Sequence, residues 1–148
     1  MGNRGLLRAM DAITRAAKSS SPIRFGQVFL AAPDVDIELF RDLAAPYGRL
    51  SIRATLYVTN NDKAIGLSRR LHRYHRVGLT PPVTVLPGID TIDASHINLD
   101  LIGHGYWAEM RPVLADIHRL IQNDTPPDRR FGLRKASRGR APYWEFVR

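Results

Sequence analysis

Two residues in this chain stand where chemistry would be done. Asp62 ends an Asn60-Asn61-Asp62 turn after a strand-like run, and His104 sits between Gly103 and Gly105. A serine hydroxyl is a poor nucleophile until a neutral imidazole takes its proton. A carboxylate on the far ring nitrogen fixes the imidazole tautomer and stabilises the imidazolium. Asp62 and His104 are residue types for those two roles. The third role has only a trace: Met1 and Gly2 fit the last two positions of a nucleophile elbow, Gly-x-Ser-x-Gly, whose serine would stand immediately before Met1. The helix such an elbow runs into is present, with Leu6, Met10, Ile13 and Ala17 at helical spacing.

Other side chains compete for these roles. Asp34 and Asp36 follow an earlier strand and are alternative acids, although each could instead cap the next helix. His96 is a rival base or a surface loop residue. Ser68 begins like an elbow in Gly66-Leu67-Ser68-Arg69, but Arg70 occupies the place of the final glycine. Ser95 precedes His96 without the glycines that let a backbone approach closely. His72 and His75 lie among Arg69, Arg70, Arg73 and Arg76, a solvated basic face rather than a metal site. His118 falls on a helix, with a structural role expected. No cofactor or metal is expected, and with no cysteine in the chain, disulfides and thiolate zinc sites are impossible.

The elements that must position these residues alternate between helix and strand, as in a parallel sheet with crossover helices. A helix is expected over 3–18, a strand over 25–32, a helix whose apolar face is Ile37, Phe40, Leu43 and Ala44, and a strand over 53–59. A short helix over 63–72 and a loop over 73–82 follow. Val83 to Leu86 reads as the third strand, with Ile89 to Asp93 extending it or forming a short extra one. The final helix spans about 106–122 and buries Val113, Leu114, Ile117, Leu120 and Ile121, with Pro112 in its first turn or kinking it. In such sheets ligands bind beyond the carboxyl ends of the strands, where Asp62 and His104 fall.

The motifs then resemble one family in order and spacing. Met1-Gly2-Asn3-Arg4, Leu30-Ala31-Ala32-Pro33-Asp34-Val35-Asp36, Leu56-Tyr57-Val58-Thr59-Asn60-Asn61-Asp62, Gly103-His104-Gly105-Tyr106, Pro126-Pro127 and Arg130-Phe131-Gly132-Leu133 resemble the C-terminal half of an alpha/beta-hydrolase family of unknown function, often grouped with esterases and lipases. The resemblance implies an α/β fold, here the rear part of a larger sheet with about three parallel strands and flanking helices. It implies Asp62 as triad acid, His104 as general base, the Met1 amide as an oxyanion donor beside Gly2, and a small ester-like substrate for the complete site. Residues 1–123 would form a partial hydrolase domain without its first strands or its nucleophile, inactive alone, and 124–148 a basic tail. An open sheet edge at 25–32 would then be covered by the missing half or by self-association.

Composition bounds the alternatives. The 148 residues allow one domain, and a hydrophobic fraction of 44% allows a core. No apolar run approaches a membrane span, and no signal-peptide pattern or myristoylation signal is read at the N-terminus. A cytoplasmic location is the expectation, and the Asn123-Asp124-Thr125 sequon would be idle there. The net charge of +8 is concentrated in Arg129, Arg130, Arg134, Lys135, Arg138 and Arg140. That leaves one other reading, a non-catalytic module for nucleic acid or another polyanion. No recognition motif accompanies the charge, and a solvated Arg-rich surface is the simpler account.

Overall fold

The computed structural model describes residues 2–16, 25–60, 75–97, 110–138 and 141–147. Five strands form one sheet: β1 (Phe25–Ala31), β2 (Ser51–Val58), β3 (Asp90–Asp93), β4 (Leu133–Arg138) and β5 (Ala141–Phe146), in the order β1-β2-β3-β5-β4. All neighbours pair in parallel except β4 and β5, an antiparallel hairpin. Among the described residues the α-helices are α1 (Gly2–Ala16), α2 (Ile37–Leu43), α3 (Ala45–Leu50) and α4 (Arg111–Asn123).

Strand alternation divides the core. Even-numbered residues of β1 and β2 (Val28, Leu30, Ala54, Leu56 and Val58) join Leu7 and Met10 of α1, Phe40 of α2 and Tyr47 of α3. On the other face Phe29 and Tyr57 meet Ile92, Phe146 and the α4 residues Val113 and Ile117. β2 is covered on both faces over its last five residues, as a central parallel strand must be.

The α1 stripe is turned from its expected place: Leu7 and Met10 are buried, with Ile13 packed against them, whereas Leu6 is 36% exposed. α2 starts on Asp36, whose Oδ1 accepts from Glu38 N at 3.0 Å and Leu39 N at 3.3 Å. Pro46 lies in the first turn of α3, where its missing N–H leaves no lost bond. Phe40 and Tyr47 then stack across the α2–α3 junction, 6.2 Å between ring centres.

Two further expectations differ from the structure. Val83 to Leu86 is not a strand, because the run is clipped between Pro82 and Pro87 and finds no ladder. Val83 and Leu86 pack their side chains on the core, and the third strand is Asp90–Asp93, paired with Thr55–Val58. The basic segment carries β4 and β5, and β5 joins β3 through Ile92 opposite Trp144 and Asp93 opposite Glu145. The expected helix over 63–72 lies outside the described residues.

Candidate active site at the carboxyl ends of the strands

α1 begins at the end of the sheet where a parallel fold collects its ligands. The Asn3 side-chain amide donates to the carbonyl of Ala31, the last residue of β1, at 3.2 Å. Gly2 is therefore near the carboxyl end of β1. The chain leaves β2 at the same end through Asn60, two residues before Asp62, and leaves β3 through Ser95 and His96 toward His104. Met1, Asp62 and His104 themselves lie outside the described residues.

The departures from β2 and β3 are tied together. Asp93 Oδ1 accepts from Ser95 N at 2.8 Å and from the Ser95 hydroxyl at 2.5 Å. The same hydroxyl accepts from Asn60 N at 3.1 Å. A hydroxyl with one proton and two lone pairs is well used by that arrangement. Ser95 is thus occupied in joining two loop roots, and its proton is directed at a carboxylate rather than at an imidazole. His96 is exposed in the adjoining turn.

A strap over residues 75–80 crosses the ends of β1 and β2. Val77 N donates to Val35 O at 2.9 Å, Gly78 N to Pro33 O at 3.0 Å, Thr59 N to Gly78 O at 2.9 Å and Thr80 N to Thr59 O at 3.1 Å. A Cβ on Gly78 would overlap the backbone of Ala32 and Pro33, so glycine is required by close approach. Ala32 holds a left-handed φ of 37° where the chain leaves β1 toward α2. Asp34 Oδ1 lies 3.2 Å from Arg76 Nε on this strap, an ion pair without hydrogen-bond geometry at that nitrogen. Asp36 is engaged as the α2 cap. Both alternative acids therefore already have partners at this edge.

A charged cluster elsewhere was not legible as a site. The Arg130 guanidinium is almost wholly buried, with Nη2 2.9 Å from Asp90 Oδ2 and 3.3 Å from Thr55 Oγ1, and Nη1 3.3 Å from Asp116 Oδ2. The Tyr57 hydroxyl donates to the same Asp116 oxygen at 2.7 Å. Burial, followed by the Asp116 charge, pushes the Tyr57 phenol well above its ordinary range, keeping it a donor. Arg53 bridges Asp90 at 2.8 Å and Asp124 at 2.9 Å, and Gln27 donates to Asp124 at 2.7 Å. The cluster fastens the segment after α4 to β1, β2 and β3. The available signal was Asp116 itself, a carboxylate between Val113, Ile117 and Leu120 on one helical stripe. That stripe is the buried face of α4, while Leu114 and Ile121, expected inside, are 37% and 65% exposed. His118 is likewise on the exposed side.

Among the described residues, no helix is long and apolar enough to cross a membrane. Neither a curated protein nor a solved structure matches the chain. Residues 1–123 match the family described as an alpha/beta hydrolase of unknown function (DUF900). That span takes in α1 to α4 and the strands between them, so the chain belongs to the alpha/beta-hydrolase family of unknown function.

Proposed function

We propose that this chain carries the acid and the base of a serine-hydrolase site acting on small carboxylic esters, with Asp62 orienting His104 and His104 activating a serine. The serine would stand one residue ahead of Met1, at the tip of the turn into α1, with the Met1 and Gly2 backbone at the oxyanion side. The observation that carries this reading is the Asn3 bond to Ala31 O. It brings the start of α1 to the same end of the sheet from which the chain departs toward Asp62 and His104. The Ser95 tie to Asn60 and Asp93 supports the same reading, since a relay of proton transfers needs its loop roots held in register.

The two sheet edges suggest where the rest of such a site docks. β1, FGQVFLA, is an edge strand without a charge, whereas β4, LRKASR at the other edge, has three basic residues in six. Charged edges discourage strand pairing and uncharged ones invite it. The polypeptide covering β1 would be the strand-bearing half that holds the serine, or a second copy of this chain. The polyanion reading draws less support, because Arg130 and Arg134 of the basic segment are paired with Asp90, Asp116 and Glu145.

The test uses a polypeptide that includes the codons preceding Met1. It should label with a fluorophosphonate probe and turn over a p-nitrophenyl ester. His104→Ala and Asp62→Asn should each lower kcat by about a thousandfold or more, with KM little changed. A folded protein that neither labels nor loses turnover in these variants would refute the assignment.

A further inference from the structure

A concave surface lies between the C-terminal half of α4 and the segment that follows it. It is a cavity of about 130 Å³ whose lining includes Arg119, Arg129, Arg130 and Asp116. That carboxylate already accepts from Tyr57 and Arg130, and Arg130 is committed to Asp116 and Asp90. Arg119 and Arg129 are different. Both are exposed, and neither has a carboxylate partner among the described residues. Two guanidiniums lining one cavity are favoured by an anion held between them, and their planar donor forks match the oxygens of a phosphate.

A flat apolar surface adjoins these charges. The Arg119 guanidinium stands over the Phe131 ring, 5.1 Å from its centroid, and Phe131 is 81% exposed. An exposed ring backed by a cation is a platform on which another flat ring can stack. Thr125 lines the same cavity and adds a neutral hydrogen-bonding group. The end of α4 opposes an anion through its carbonyl dipoles, but this field is partly answered: Asp124 N closes on Leu120 O at 3.0 Å, and Arg53 Nη2 reaches the Asp124 carbonyl at 3.4 Å. The cavity favours a small ligand over a polymer, because Arg134, on the strand beyond Phe131, is paired with Glu145.

We infer that this cavity binds a small phosphate monoester bearing a planar ring, a mononucleotide-like ligand, with the phosphate between Arg119 and Arg129 and the ring on Phe131. The site is independent of the hydrolase reading and uses none of its residues.

Calorimetric titration of the full chain with AMP, inorganic phosphate, adenosine and an oligothymidylate tests it. AMP should bind more tightly than phosphate or adenosine. Arg119→Gln and Arg129→Gln should each weaken AMP about tenfold, the loss expected for one charge-assisted contact. Phe131→Ala should weaken AMP about fivefold while leaving phosphate unchanged. Arg49→Gln, an exposed arginine on α3, should change nothing. All four positions are at the surface, so folding, checked by circular dichroism, should be retained. No AMP binding, an equal loss in Arg49→Gln, or binding of the oligothymidylate alone would each overturn the inference.

Discussion

Arg130 ties the segment after α4 to Asp116 of α4, Thr55 of β2 and Asp90 of β3. Removing one partner from a buried ion pair leaves an uncompensated charge; without Arg130, Asp90 keeps Arg53, while Asp116 keeps no cationic partner among the described residues. Arg130→Met should destabilise the chain by about 3–5 kcal/mol in urea unfolding. Arg134→Met removes an exposed pair with Glu145 and should lose less than about 1 kcal/mol. Equal losses would mean that the buried cluster is not what holds the segment. Tyr47 makes the opposite case. Its hydroxyl is buried and has no hydrogen-bond partner among the described residues, and burial pushes the phenol up from 10.0 to about 12. The folded state therefore keeps a proton that the unfolded chain releases, so stability falls as pH rises from about 10 towards 12. Tyr47→Phe should leave stability at pH 7 unchanged or raise it by about 1 kcal/mol. The variant should also flatten the alkaline decline, as followed by melting temperature against pH.

At the scale of elements, the strap over 75–80 and the start of α2 form one assembly at the carboxyl end of the sheet. Ile37 N donates to His75 O at 3.1 Å, and Asp36 bridges to Arg76, so the α2 cap and the strap share residues. Asp36→Ala should cost about 1 kcal/mol, the usual loss of a helix cap. Gly78→Ala should cost about 1–3 kcal/mol through overpacking against Ala32 and Pro33. At about 2–4 °C per kcal/mol for a chain of this size, both should be visible in thermal melts. The double variant should depart from additivity because the two sites share hydrogen-bonded backbone. Strict additivity would mean that strap and cap are independent.

For the whole molecule, charge and edge exposure govern behaviour. An uncharged β1 edge should make the chain associate as its concentration rises in sedimentation. Phe25→Lys, at a position 37% exposed, should shift it toward monomer. An unaltered profile would place the contact elsewhere. Acid acts through Asp124, whose carboxyl is held below its ordinary value of 3.8 first by the Gln27 amide, against the opposing effect of burial, and then by Arg53. A depressed folded-state value gives stability that is present above the unfolded value and lost as pH falls through the folded one. Asp124→Asn should therefore soften the loss of stability below about pH 4. The net charge of +8, one unit higher in the variant, adds a background of repulsion in both proteins.

Local periodicity in the sequence was enough for the α/β class and for α1, α2, α4, β1 and β2, the motifs read in order carried the resemblance to the family, and capping chemistry left Asp34 and Asp36 both open. These depend on neighbours within a few residues, or on motifs read in order along the chain. Apolar runs alone did not distinguish a strand from a packed loop, so Val83–Leu86 was misread and Asp90–Asp93 carries the pairing. Periodicity also placed the α4 stripe one position away from where Asp116 is drawn inward by Arg130 and Tyr57. Which strand lies beside which, and which charges are paired in the interior, was decided only by tertiary structure. A backbone ladder such as β3 with β5 joins residues about fifty positions apart. A buried arginine looks the same in sequence as a solvated one until its carboxylates are brought to it.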